Sequence, residues 1–266
     1  MTARQQKTER NGAGGKPNRH IVFEPSPRWV RVLFNGEFVA DSKQVMLLHE
    51  QGHLPVYYFP RGDVRMDLLT PTDHTTHCPY KGDASYWSVT VGEETVENAL
   101  WGYPDPLPDA PDLADYVAFY WEKMDCWFEE DTQVFVHPRD PYKRVDVCDS
   151  SRHVQVIVAG ETVADTRRPR LLFETGLPTR YYIPKVDARL DLLVPSQKRT
   201  RCPYKGQAGY YSVEVGETLV EDIVWTYPYP EAAVAAIQNM LCFFNEKVEA
   251  IYIDGELEVK PETPWT

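Results

Sequence analysis

Cys78-Pro79-Tyr80-Lys81-Gly82 recurs unchanged as Cys202-Pro203-Tyr204-Lys205-Gly206, and the offset of 124 residues holds through the surrounding sequence. Residues 28–123 align with 152–247 without a gap: Val39-Ala40-Asp41-Ser42 meets Val163-Ala164-Asp165-Thr166, and Glu50 meets Glu174. Tyr57-Tyr58 meets Tyr181-Tyr182, Asp63 meets Asp187, Trp101 meets Trp225 and Phe119 meets Phe243. Repeats of roughly 20 to 50 residues build solenoids and propellers. A unit this long is a whole domain, so the chain reads as a tandem duplication. A residue kept in both copies serves the shared fold or site, whereas a singleton serves one half. The expected boundaries are a disordered, polar tail over 1–19, a first domain over 20–143 and a second over 144–266. The junction falls near Asp140 to Arg144, after His137-Pro138-Arg139-Asp140-Pro141, and so short a linker predicts contact between the halves.

At roughly 100 to 200 residues per domain, 266 residues suffice for two independent cores. A hydrophobic fraction of 42% and an aromatic fraction of 12% fit globular domains. The net charge of -12 argues against nucleic acid or an anionic membrane as a broad partner, because both demand clustered positive charge. No apolar run approaches the roughly 20 residues of a membrane span, and no signal-peptide core is present, so a cytoplasmic location is expected. The cysteines are five (Cys78, Cys126, Cys148, Cys202, Cys242), with no Cys-x-x-Cys pair, which points away from a disulfide framework or a zinc knuckle.

Short strands separated by turns dominate each unit, giving a mainly β, antiparallel expectation. Residues 29–34, Asn35-Gly36 and 38–41 read as a hairpin, because Asn-Gly adopts the positive φ of a type I′ turn. Strands are expected over 45–49, 56–59, 64–69 and 84–91, with a closing pair around 126–136 and 250–259. A short helix is expected over 109–117 and, after Pro230, over the helix-forming run 231–239.

Alternation along Asp63-Val64-Arg65-Met66-Asp67, repeated as Asp187-Ala188-Arg189-Leu190-Asp191, places the charged residues on one side of an extended strand. At roughly 3.3 Å per residue the carboxylates stand about 13 Å apart, too far to share a metal ion. Two readings stay open: a charged face with cross-strand ion pairs, or anion anchors at Arg65 and Arg189. The Cys-Pro-Tyr-Lys-Gly turn is the best chemical candidate, since Lys81 and Lys205 could stabilise thiolates at Cys78 and Cys202. A buried structural thiol in a Pro-Gly turn is the alternative. His74 and His77 become Lys198 and Arg201 in the second copy, so a Cys–His pair is not shared, and both histidines read as exposed loop residues. The repeated aromatics Tyr57, Tyr80 and Trp101, with Tyr181, Tyr204 and Trp225, either fill the core or line a cleft for a flat or anionic small molecule. Arg61, Asp63 and Arg65, with Lys185, Asp187 and Arg189, complete the candidate ligand set.

The combination Tyr-Tyr-Phe-Pro-Arg-Gly-Asp-Val (57–64), Cys-Pro-Tyr-Lys-Gly-x-Ala-x-Tyr-Trp (78–87), Trp-x-Tyr-Pro (101–104) and Val-Ala-Phe-Tyr (117–120) resembles the DUF427 family, over both halves from about residue 24 to 260. The resemblance implies a compact β fold similar to Mss4-like or β-tent architectures, with two small sheets meeting over a cleft; other β-tent families often clamp zinc with two Cys-x-x-Cys hairpins, and as this chain has none, no structural metal and no cofactor are expected. The second copy departs at Ile183 and Lys185, where the first has Phe59 and Arg61. The family has carried a nucleotidyltransferase-like label, which neither the Asp63/Asp67 spacing nor any Gly-rich phosphate loop supports. The leading expectation is a small-molecule binding protein with one aromatic cleft per domain. The alternative is a cytosolic enzyme using Cys78 and Cys202 as nucleophile or redox thiol.

Overall fold

The computed structural model describes residues 20–263; the expected tail over 1–19 lies outside the described residues. The first domain contains β1 (Ile21–Pro25), β2 (Val30–Phe34), β3 (Glu37–Ser42), β4 (Met46–Glu50), β5 (Val56–Pro60), β6 (Leu69–Cys78), β7 (Gly82–Val91), β8 (Glu94–Gly102), β9 (Tyr116–Phe119), β10 (Cys126–Glu129) and β11 (Thr132–Val134). The second repeats the plan as β12 (Val145–Asp149), β13 (Val154–Val158), β14 (Glu161–Thr166), β15 (Arg170–Glu174), β16 (Arg180–Ile183), β17 (Leu193–Cys202), β18 (Gly206–Val215), β19 (Thr218–Thr226), β20 (Leu241–Phe243), β21 (Ala250–Ile253) and β22 (Glu256–Leu257). Each domain has a seven-stranded sheet, ordered β1-β4-β5-β9-β8-β7-β6 in the first and β12-β15-β16-β20-β19-β18-β17 in the second. Each also has a four-stranded sheet, β11-β10-β2-β3 and its counterpart β14-β13-β21-β22. Every pairing between these strands is antiparallel.

The alternation of Val30-Arg31-Val32-Leu33-Phe34 buries every second residue against the large sheet, and Val154 to Val158 does the same in the second copy. Between the sheets Val30, Val32, Phe59, Phe119 and Trp127 form a core. The opposite face of the large sheet carries a second apolar cluster, with Leu48, Tyr58, Tyr86 and Ala118 roofed by Tyr103 and Leu113 from the segment after β8. This inner face is where β6 and β7 bring the repeated turn. The β2–β3 hairpin turns through Asn35 (φ 44°) and Gly36 (φ 81°), as a type I′ turn requires. Its copy places Ala159 at φ 49°, a left-handed conformation that an alanine adopts at a cost.

Three local expectations are corrected. Residues 63–67 are not a strand: Arg61–Asp63 and Met66–Leu68 are single 3-10 turns, with Lys185–Asp187 and Leu190–Leu192 as their copies. The chain here links β5 to the edge strand β6 of the same large sheet, and its one isolated bridge among the described residues is Ala40–Val64 to β3, so the backbone satisfies itself locally: Leu68 N–H donates to Arg65 O at 3.0 Å. No helix forms over 109–117; Pro104, Pro106, Pro108 and Pro111 interrupt the stretch, and Tyr116 already belongs to β9. The second copy keeps Pro228 and Pro230 but has Ala232 and Ala235 in place of Pro108 and Pro111, and it does wind into a 3-10 segment over Ala232–Ile237 that buries Val234 and Ile237. His74 and His77 stand on the exposed edge strand β6 rather than in a loop.

The halves touch through the linker. Tyr142 donates its hydroxyl hydrogen to Glu24 of the first domain at 2.7 Å, and His49 Nδ1 lies 3.8 Å from Asp140. On the other side Arg139 Nε donates to Pro203 O at 2.9 Å, and the Asp140 amide donates to the Tyr204 hydroxyl at 2.8 Å. Val136, a β-branched residue at φ 76°, makes the tight turn that starts this crossing, with His137 N–H reaching Phe135 O at 3.0 Å.

Candidate functional site

The β6–β7 turn closes with Lys81 N–H donating to Cys78 O at 3.3 Å, and Lys205 with Cys202 repeats it. Gly82 follows at φ 106°, where a Cβ would stand 3.2 Å from Asp105 O, and Gly206 sits at φ 95° against Tyr229 O. Only glycine combines that backbone angle with so close an approach. The Lys81 carbonyl accepts from Leu107 N–H at 3.0 Å, which ties the turn to the roof of the inner face.

From this turn Lys81 reaches the end of β4, where Nζ lies 2.5 Å from Glu50 Oε2, both side chains being 8% exposed. Lys205 makes the same pair with Glu174. In the second domain a further cation joins: Lys143 Nζ of the linker lies 3.2 Å from Glu174 Oε1. Burying two charges costs several kcal/mol of hydration per ion, so such a pair contributes little net stability over an apolar one. Its presence in both copies calls for another reason. Glu50 and Glu174 were visible in the sequence only as repeated residues; nothing there marked them as partners of a lysine 31 positions away.

Around the pair the inner face is aromatic. Trp101 Nε1 donates to the Tyr58 hydroxyl at 3.3 Å, and Trp225 to Tyr182 at 3.1 Å. Thr76 and Tyr86 share a hydrogen bond at 2.8 Å, as do Thr200 and Tyr210 at 2.7 Å. Burial pushes the Tyr58, Tyr103, Tyr182 and Tyr227 phenols well above their ordinary range, so they stay protonated. Burial likewise lifts Tyr204 to about 12. Cys78 packs against this cluster at partial exposure, and Cys202 is likewise half-buried at its own turn. Neither thiol hydrogen-bonds to a histidine or lysine among the described residues: His77 pairs with Asp83 at 2.6 Å, and His74 packs on the Tyr86 ring. The fully buried Cys242 is pushed far up by desolvation and is an inert core thiol. Beside Glu50 lies a hollow of about 220 Å³ lined by His20, His49, Glu50, Gln51, His53 and Asp140. Among the described residues no His, Cys, Asp or Glu side chains converge as a metal-binding group.

The remaining sequence candidates fall elsewhere. Tyr57 and Tyr58 are neighbours on β5 and face opposite ways, so Tyr57 enters the core between the sheets, with its hydroxyl on Glu129 at 2.8 Å. Tyr181 does likewise, donating to Glu258 at 2.7 Å. Arg61 lies 5.1 Å over the Trp87 ring. Asp63 accepts from Ser42 at 2.5 Å, and Asp187 accepts from Thr166 and Arg168. Arg65 and Arg189 are spent on Asp67 and Asp191, each at 2.7 Å, on exposed turns. Lys185 begins the copy of the Arg61 turn. Of the expected set, the structure therefore gathers Cys78, Lys81 and Trp101, with Cys202, Lys205 and Trp225, around the inner face, while Tyr80 is half-buried in the β6–β7 turn, Tyr204 meets the linker, and the others lie outside.

A family model described as a domain of unknown function, DUF427, matches residues 22–130 and again 146–254. The chain belongs to the DUF427 family. It carries two tandem DUF427 units, and each match spans its domain from the first strand to the penultimate one. A comparison with curated proteins found no match to the chain. The Lys81–Glu50 and Lys205–Glu174 pairs both fall inside the matched DUF427 segments. Among the described residues no helix is long and apolar enough to cross a membrane.

Proposed function

We propose that each DUF427 unit binds a small ligand at the lysine end of its aromatic inner face, with an anionic or flat polar group of the ligand meeting the ammonium. The observation that carries this reading is the buried Lys81–Glu50 pair and its copy. An ammonium has three donors, and among the described residues only Glu50 accepts from Lys81. The ammonium also lies 5.8 Å from the Tyr103 ring centre, at the edge of the aromatic inner face, a flat and mostly apolar wall for a ligand. Thiol chemistry has less support, because among the described residues no histidine or lysine hydrogen-bonds to Cys78 or Cys202.

Alkylation of the two thiols tests the proposal, since both stand at the rim of the site. The chain is labelled with iodoacetamide, with and without the protein-free small-molecule fraction of a cell extract, and the modified peptides are quantified. Slower labelling of Cys78 and Cys202 in the extract, with Cys148 unaffected, is the expected result. Equal rates would overturn the binding reading, and thiolate reactivity well below the ordinary pKa of about 8.5 would favour the enzyme instead.

A further inference from the structure

On the second domain, away from the Lys205–Glu174 pair, a groove of about 510 Å³ runs across β17, β18 and β19. Its floor is a single cross-strand row: Gly209 stands opposite Arg199 on one side and opposite Thr226 on the other. Residues directly opposite one another share a sheet face. With no side chain on Gly209, a gap is left between a guanidinium and a hydroxyl. Arg199 folds over it, its Cζ only 3.9 Å from where a Gly209 Cβ would be. The guanidinium is held by NH1, which donates to Ser196 O at 2.8 Å and to Lys198 O at 2.6 Å, and its Nε–NH2 edge makes no hydrogen bond among the described residues. Thr226, 4% exposed, lines the same groove, and its buried Oγ1 has no hydrogen-bond partner among the described residues. Native structures rarely leave such a group unmatched. Tyr211 and Tyr229 supply ring faces, the latter 87% exposed at the rim.

The first domain does not repeat this. Its row reads Thr75–Ser85–Gly102, the cation and the hydroxyl are lost, and Trp87 and Asp105 stand where Tyr211 and Tyr229 are. These changes remake the groove while the strands and their register shifts are kept.

We infer that this groove is a second binding site, independent of the site above, for a small aromatic carboxylate. Arg199 presents its free Nε–NH2 fork to the carboxylate, a planar two-bond match that a guanidinium makes and an ammonium does not. The ring lies over Gly209 between Tyr211 and Tyr229, and a polar ring substituent meets Thr226 Oγ1.

The probe is 4-hydroxybenzoate, titrated into the full chain by isothermal calorimetry, with inorganic phosphate and cyclohexanecarboxylate as arms for the anion alone and for a non-aromatic acid. Saturable 1:1 binding of 4-hydroxybenzoate is expected, with both other arms weaker by about tenfold or more. Arg199→Lys lowers affinity by about tenfold. Gly209→Ser, the residue of the first domain, abolishes binding without unfolding, because the new Cβ meets nothing closer than the Arg199 side chain at 3.9 Å. No saturation, affinities untouched by Arg199→Lys and Gly209→Ser, or equal binding of phosphate would each overturn the inference.

Discussion

Lys81 and Glu50 join the β6–β7 turn to the end of β4 through a buried contact of 2.5 Å. Removing one member strands the other charge away from water. Lys81→Met is therefore expected to destabilise the first domain by about 3–5 kcal/mol, while the double change Lys81→Met with Glu50→Leu recovers most of that loss. Urea unfolding of both variants checks it; equal destabilisation by the single and double changes would show that the pair is not coupled.

Trp225 is 8% exposed and hydrogen-bonded to Tyr182, whereas Trp101 is only half-buried. Trp225→Ala should cost its domain about 3–5 kcal/mol, and Trp101→Ala less, because truncation loses transfer energy in proportion to burial and leaves a cavity. Melting curves of the two variants that coincide with wild type would contradict this.

His137 lies half-buried beside the Tyr204 ring, and desolvation holds its pKa below the ordinary value of about 6.5. A folded-state pKa that is depressed contributes stability above the unfolded value, and that contribution is lost as pH falls through the folded one. The stability difference between wild type and His137→Gln should therefore shrink, or change sign, between about pH 7.5 and about pH 5. An imidazole titrating above 6.5 by NMR would rule this out.

Ala159 occupies the position that Asn35 holds in the first copy, at nearly the same positive φ. Ala159→Asn should stabilise the second domain by about 0.5–1 kcal/mol, because asparagine tolerates the left-handed region better. Chemical denaturation gives the sign directly.

The duplication and the β hairpins were legible in the sequence because both rest on local patterns: an unbroken offset, alternation, and turn residues such as Asn35-Gly36. Alternation failed at Asp63 to Asp67, where an extended pattern meets a neighbouring strand at a single bridge, Ala40–Val64, and no ladder forms. It also could not tell which of two sheet faces Tyr57 and Tyr58 would each take, so residues from opposite faces were grouped into one site. Glu50 escaped notice as a partner because the contact to Lys81 is made by sheet order, not by sequence spacing. The groove has a signal in the sequence that only the strand register makes legible: Gly209 for Ser85, Thr226 for Gly102 and Arg199 for Thr75 are three differences on one cross-strand row.

The claim on which the account turns is that the inner face of each domain holds a ligand against its buried lysine. Native mass spectrometry of the chain, incubated with the small-molecule fraction of a cell extract, tests it directly. The expected spectrum shows up to two copies of one small molecule, falling to one in Lys81→Met or Lys205→Met and to none in the double variant. A bare chain, or an adduct whose stoichiometry ignores both lysines in variants that remain folded, would contradict it.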